Sequence, residues 1–399
     1  MNIPRQLAMW AMATLVSLGG LGIVVVWQRH DLPGRLAVQV ATTPMTGAAV
    51  FRSKGCATCH GVSGGGTELA PSLRHRSSLT SLPQLVTAMW NHAPRMWQEM
   101  QGKQIRYPIL SYEETSQLVT YLYMGAYSDD PGDAQRGESL FRERRCTQCH
   151  SRKPDAPGFV DISDSDDPLS WTEALWNHAL GMQSKMLSVG MQWPTFQASD
   201  MRDLFAYIRQ ARNLDTQLLS DVSGDPTRGW LLFQQKGCIR CHSISSVPGL
   251  LGPGLGTDHQ LPPTFSEFGA SLLNHFPKME LAMKSQQAVI PRFERSDVAD
   301  IAVFLYSLHY LEPTGSPQVG QSVFAWRGCG RCHGDNAEGT ASGPVLRGRG
   351  QYYTAVRLAT ALWAHGARMY KAMKKDDQEW PALHDSDVGH LLTFLNTAP

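Results

Sequence analysis

All eight cysteines of the chain fall into four Cys-x-x-Cys-His motifs: Cys56-Ala57-Thr58-Cys59-His60, Cys146-Thr147-Gln148-Cys149-His150, Cys238-Ile239-Arg240-Cys241-His242 and Cys329-Gly330-Arg331-Cys332-His333. Two thiols at this spacing share one helical turn, and the next residue sets an imidazole beside them. That donor set attaches a haem through two thioethers and gives its iron a proximal histidine. Competing chemistries fail on spacing. A zinc site made of paired motifs wants the second pair roughly 15–20 residues after the first, whereas these pairs stand 90, 92 and 91 residues apart. A disulfide framework gives no reason for a histidine after every second cysteine, and a dithiol redox motif gives none for fourfold repetition. Four covalently bound haem c groups, and their iron, are therefore expected on Cys56 and Cys59, Cys146 and Cys149, Cys238 and Cys241, and Cys329 and Cys332. The proximal iron ligands are then His60, His150, His242 and His333.

The elements that must position these motifs repeat with them. A glycine and a phenylalanine precede each motif at fixed offsets: Gly47 and Phe51, Gly137 and Phe141, Gly229 and Phe233, Gly320 and Phe324. An irregular Gly/Pro/Ser-rich stretch follows, then an amphipathic segment reaching His92, His178, His275 and His365. Four residues later stand Met96, Met182, Met279 and Met369, and four after those Met100, Met186, Met283 and Met373. If that segment is one helix, the three positions share a face. A proline lies twelve residues beyond the first methionine in every unit (Pro108, Pro194, Pro291, Pro381), and an aromatic thirteen beyond the proline (Tyr121, Tyr207, Phe304, Phe394). Each aromatic sits in a segment of helical period, as in SDMRDLFAYIRQ and SDVADIAVFLYSL, where the leading serines (Ser199, Ser296) are expected N-caps. Only the interval from proximal histidine to first methionine varies, at 36, 32, 37 and 36 residues, as a tolerant surface loop inside a fixed frame would.

Turn-rich links at 128–133, 213–226 and 312–317 separate the units, giving expected domains at 43–127, 134–212, 226–311 and 317–399. Units this small have marginal cores of their own, which a buried haem would complete. Residues 7–28, LAMWAMATLVSLGGLGIVVVWQ, carry no charge and are long enough to cross a bilayer, with Trp10 and Trp27 near the two ends. An uncleaved anchor is favoured over a signal peptide, whose apolar region is shorter; a tether at 29–42 follows. Charge is balanced, with 36 Lys+Arg against 35 Asp+Glu, so nothing points to nucleic acid.

Each unit resembles a class I c-type cytochrome domain, an all-α fold in which an N-terminal helix carrying a glycine and an aromatic crosses a C-terminal helix carrying another aromatic. The resemblance runs from about residue 43 onward and implies four tandem domains of this type behind one transmembrane helix. In that family a distal methionine often closes an Asn-Gly-x-x-x-Met-Pro loop. Asn91 to Met96, Asn177 to Met182 and Asn274 to Met279 keep the asparagine-to-methionine spacing, and Ala364 replaces the asparagine before Met369. Histidine stands where glycine is usual, and the proline is displaced. The resemblance makes Met96, Met182, Met279 and Met369 the expected distal ligands, with the second methionines and the four histidines as alternatives.

Iron capped on both axial sides has no site for substrate, so the expected activity is outer-sphere electron relay rather than enzymology. The expected partners are redox proteins, in particular a membrane respiratory or photosynthetic complex and a periplasmic or extracellular acceptor. The haem domains are expected on the outer face of a bacterial cytoplasmic membrane. The alternative is a haem peroxidase or small-molecule reductase with one five-coordinate haem, unit four being suspect for its missing asparagine. Asp155, Asp161, Asp164, Asp166 and Asp167 form an acidic loop beside the second motif that is more simply solvated than a docking site. His30, His75, His259, His309, His384 and His390 form no recurrent set and are read as surface or packing residues.

Overall fold

The computed structural model describes residues 44–397 except 63, 75–80, 151–166, 198, 212–223, 245–248, 250, 257–259, 309–314 and 349–351. Among the described residues no helix is long and apolar enough to cross a membrane. The 7–28 segment expected to do so lies outside them, as do the 29–42 tether and most of the acidic loop.

The described residues are helical, with no strand among them, and one three-helix pattern recurs four times. Unit one has α1 (Pro44–Ser53), α2 (Leu82–Gly102) and α3 (Tyr112–Gly125); unit two has α4 (Ala134–Glu143), α5 (Pro168–Ser188) and α6 (Asp200–Ala211). Unit three has α7 (Pro226–Gln235), α8 (Phe265–Ser285) and α9 (Asp297–Ser307); unit four has α10 (Pro317–Trp326), α11 (Ala355–Lys375) and α12 (Asp387–Asn396). Local chemistry starts most of them. Asp133, Asp225 and Ser316 cap the first helices of units two to four, and Ser81, Asp167, Thr264 and Thr354 cap the middle helices, each accepting from amides of the first turn. Ser111 opens α3 with a full capping box closed by Glu114.

The first and last helices of every unit cross at the glycine. A Cβ on Gly47, Gly137, Gly229 or Gly320 would stand only 2.0–2.1 Å from a carbonyl oxygen of the facing helix, at Gln117, Asp203, Asp300 and His390 respectively. Only a residue without Cβ permits that approach. Beside each crossing the two aromatics meet: Phe51 and Tyr121 at 5.5 Å between ring centroids, Phe141 and Tyr207 at 5.7 Å, Phe233 and Phe304 at 5.8 Å, Phe324 and Phe394 at 5.5 Å. An ion pair from the residue two before the first cysteine ties the same helices: Lys54–Glu114 (2.7 Å), Arg144–Asp200 (3.2 Å), Lys236–Asp297 (2.9 Å) and Arg327–Asp387 (2.9 Å). Lys54 holds the Glu114 carboxyl below its ordinary range by hydrogen bonding, with the Ser111 amide adding to the effect.

The last helices of units two to four share a carboxylate at their first position, Asp200, Asp297 and Asp387. Ser296 has a left-handed backbone (φ 73°) and makes no side-chain cap; the side chain of Asp297 instead accepts from the Glu294 amide at 2.9 Å. Asp200 and Asp387 likewise accept from the Gln197 and His384 amides, both at 2.9 Å. The acidic-loop residue Asp167 is committed to the N-terminus of α5, accepting from Leu169 (2.8 Å) and Ser170 (3.0 Å).

The units pack in pairs through their middle helices, two with three and one with four. In the first pair Trp176 donates to the Pro291 carbonyl (2.9 Å), while the Asn177 side chain both donates to and accepts from the backbone of Phe293 (2.8 Å each). The contact is reciprocated: Trp193 donates to Leu273 O (3.0 Å), and Asn274 makes the same two bonds to Phe196 (2.8 Å each). In the second pair Trp90 donates to Pro381 O (2.8 Å), Asn91 makes both bonds to Leu383 (2.8 Å each), and Trp380 returns a bond to Trp90 O (3.1 Å). Ala364 has no amide to reciprocate with. Unit one also meets unit three, where the Phe265 amide donates to Tyr127 O (3.0 Å), the Ser266 amide to Asp129 (3.0 Å) and the Tyr123 hydroxyl to Tyr306 O (3.2 Å). One apolar cluster consequently draws on all four units, through residues such as Val86, Leu169, Phe268 and Val356.

Candidate functional site

Each Cys-x-x-Cys-His motif follows the first helix across one residue in the left-handed conformation: Gly55 (φ 81°), Arg145 (φ 59°), Gly237 (φ 81°) and Gly328 (φ 73°). That residue reverses the chain into a tight turn, α-helical in units one and four (Ala57–His60, Gly330–His333) and 3₁₀ in two and three (Cys146–Gln148, Cys238–Arg240). In all four the histidine amide donates to the carbonyl of the first cysteine, at 3.0, 2.8, 2.9 and 3.0 Å in chain order. The imidazole therefore stands one turn beyond the first thiol, as the spacing requires. None of the eight cysteines is in a disulfide. Burial pushes the first thiol of every pair (Cys56, Cys146, Cys238, Cys329) up to about 11. Redox-active or metal-binding cysteines show the opposite shift. Among the described residues no group of three or more His, Cys, Asp or Glu side chains is placed to hold a bare metal ion.

The proximal histidines are oriented by a carbonyl eleven residues downstream. Nδ1 of His60 meets Pro71 O at 3.2 Å, that of His242 meets Pro253 O at 3.1 Å, and that of His333 meets Pro344 O at 3.0 Å. A carbonyl only accepts, so the proton sits on Nδ1 and Nε2 is left with its lone pair for a metal. The glycine before the proline lies against this ring: a Cβ on Gly252 would be 2.6 Å from Cε1 of His242, and one on Gly343 would be 3.0 Å from Nδ1 of His333. Sequence reasoning missed this element, although its signal was present as Ala70-Pro71-Ser72-Leu73, Gly252-Pro253-Gly254-Leu255 and Gly343-Pro344-Val345-Leu346. Two uncommitted thiols on one turn, an imidazole locked in the ligating tautomer and a side-chain-free approach to that ring all fit a covalently attached haem.

The distal candidates occupy one uninterrupted helix per unit, each 21 residues long, so the loop implied by the asparagine spacing is absent. Asn91, Asn177 and Asn274 bind the neighbouring unit, and the prolines that follow lie at the same interfaces. The absence of asparagine at Ala364 thus leaves the unit-one/unit-four contact without its second clamp. Two of the histidines face the motif histidine of their own unit. The rings of His60 and His92 lie 6.4 Å apart between centroids, and those of His150 and His178 6.0 Å. His275 is held below the ordinary imidazole range by burial first, then by the nearby His242 and Lys278. In unit four the Arg368 guanidinium donates to Nδ1 of His365 at 2.6 Å. Among the first methionines, Met96 packs with Ala93, Trp97 and Leu362 where α2 meets unit four, and Met279 lies against the shared apolar cluster. Met182 and Met369 are half-buried, as are Met100, Met186, Met283 and Met373.

Comparison with known proteins agrees with this geometry over the first unit. The Cytochrome c family model matches residues 45–124. No curated protein and no solved structure matches the chain. The match encloses α1, the first motif, α2 and α3, and a domain of this family implies a covalently bound haem c and fits electron transfer. Over residues 45–124, then, the chain carries a segment that matches the Cytochrome c family.

Proposed function

We propose that this chain is a membrane-anchored tetrahaem c-type cytochrome, relaying electrons by outer-sphere transfer between a membrane respiratory or photosynthetic complex and a periplasmic or extracellular acceptor. The observation that carries the reading is the fourfold recurrence, in space, of the motif turn behind the same glycine crossing, which extends the arrangement of the matched residues 45–124 to the other three units. Each unit supplies two thiols for covalent attachment and a proximal imidazole, and in three units the Nδ1 proton of that imidazole is held by a proline carbonyl. When bound, haem supplies a one-electron couple, and the chain's own part is to hold, space and tune it. Packing the units through α2, α5, α8 and α11 gives the four turns a fixed arrangement, as electron hopping without diffusing parts requires. The anchor at 7–28 and the outer-face location rest on the sequence pattern alone.

Spectroelectrochemical titration combined with carbon monoxide binding tests this against the enzymatic alternative. A relay shows four one-electron couples and binds little carbon monoxide when reduced. One haem that binds the gas stoichiometrically in the native protein would instead favour a peroxidase or reductase.

A further inference from the structure

We infer that His92 in unit one and His178 in unit two, rather than a methionine, are the second axial ligands of their haem irons. The inference rests on the tetrahaem reading above and deepens it at two sites.

An imidazole nitrogen lies about 2 Å from a metal it binds. Adding the distance from that nitrogen to the ring centre on each side, two imidazoles on opposite faces of one metal have centroids about 6 Å apart. The proximal and distal rings stand 6.4 Å apart in unit one and 6.0 Å in unit two. Their planes are inclined by 62° and 58°, so the rings are not stacked on each other. Both histidines belong to the rigid interior of 21-residue helices anchored by tryptophan and asparagine bonds one and two residues earlier (Trp90 and Asn91, Trp176 and Asn177). Those bonds fix the rotation of the helix about its axis, and with it the direction of the next side chain. Met96, one turn on, is engaged with Trp97 and Leu362 at the contact with unit four.

The inference stops short of unit four. A guanidinium only donates, so Nδ1 of His365 is the acceptor of the Arg368 bond. The neutral ring then carries its proton on Nε2, the tautomer that cannot ligate through that nitrogen. Bis-histidine ligation lowers the potential relative to methionine/histidine, so each of these two haems would have a lower potential than a methionine in the same place would give it.

The test is electron paramagnetic resonance and carbon monoxide binding on the full haem-loaded protein and its His92→Gly, Met96→Ala, His178→Gly and Met182→Ala variants. Haem number is checked in each by mass. Either histidine variant is expected to turn one low-spin ferric haem high-spin and to open it to carbon monoxide, and added imidazole is expected to restore the low-spin signal. Neither methionine variant is expected to change the low-spin count. A high-spin haem produced by Met96→Ala or Met182→Ala, with the matching histidine variant silent, would overturn the assignment. So would silence from both members of a pair. Those results, obtained with four haems attached, leave the tetrahaem reading standing; a native protein without its haem adducts would overturn both.

Discussion

At the scale of single residues, the same repeated position serves two different neighbours. Asn91 and His92 are adjacent, yet one binds the backbone of unit four and the other faces the proximal imidazole of its own unit. The histidine recurs in all four units and the asparagine in three, at fixed offset, so spacing alone did not separate a residue that faces the motif histidine from one that faces a partner 292 positions away. The motif cysteines and histidines were legible as a unit because they stand within five residues of one another, and in all four the histidine amide bonds the first cysteine's carbonyl. The proline carbonyl behind the histidine was equally local but carries no reactive side chain to draw attention. Glu173 shows how far such partners reach: its carboxylate accepts from the Val298 amide of unit three at 3.2 Å, at the start of α9. Its carboxyl is raised to about 7, chiefly by burial, against the opposing Val298 bond and with Asp297 and Asp167 adding. The folded form therefore favours the protonated acid. Stability linked to this group is fully present below about 4.5, the unfolded value, and is lost as pH rises toward about 7. Glu173→Gln should flatten that part of the melting-temperature profile, measured by circular dichroism between those limits. An unchanged slope would contradict the role.

At the scale of elements, the helix crossing was legible in full. The glycine, the two aromatics and their spacing predicted which helices meet, and the structure brings all four sets together. Sequence spacing succeeded here because both partners lie in one unit and the contact leaves a compositional mark, a glycine where a side chain cannot fit. The ion pairs beside the crossing were missed because Lys and Arg alternate at one end and Glu114 stands in for Asp at the other, so no single residue type fills either position in all four units. The middle helix departs at its centre from the loop that the asparagine-to-methionine spacing implies. Pro94 and Pro277 lie inside α2 and α8, which continue through them, a tertiary override of local propensity supported by packing on both faces. Gly229→Ala tests the crossing. Its Cβ would lie 2.0 Å from the Asp300 carbonyl and 2.7 Å from the Phe304 Cβ, so α7 and α9 must separate. Overpacking of this kind costs about 2 kcal/mol, which chemical denaturation should show as a lowered midpoint. A neutral result would mean that the helices are not in van der Waals contact.

At the scale of the whole molecule, pairing of units one with four and two with three turns a string of small domains into one body with a shared core. The sequence was silent on this arrangement, since linkers of such length permit extended or compact chains. The pairs are not equal. Two with three is clamped by two asparagines, one with four by a single one, because Ala364 replaces the second. Ala364→Asn should complete the clamp toward the backbone at Leu110, the position equivalent to Leu383, and stabilise the protein by about 1 kcal/mol. Differential scanning calorimetry would register a higher transition for unit four; a lower one would show that the two pairs are not built alike. Everything proposed about electron relay depends on all four motifs carrying haem, and intact-mass spectrometry of the mature protein measures that directly. The account predicts one species with four covalent haem adducts, reduced to three when both cysteines of any one motif are replaced by alanine. A native mass with fewer than four adducts, or an unmodified pair among Cys146/Cys149, Cys238/Cys241 and Cys329/Cys332, would contradict it.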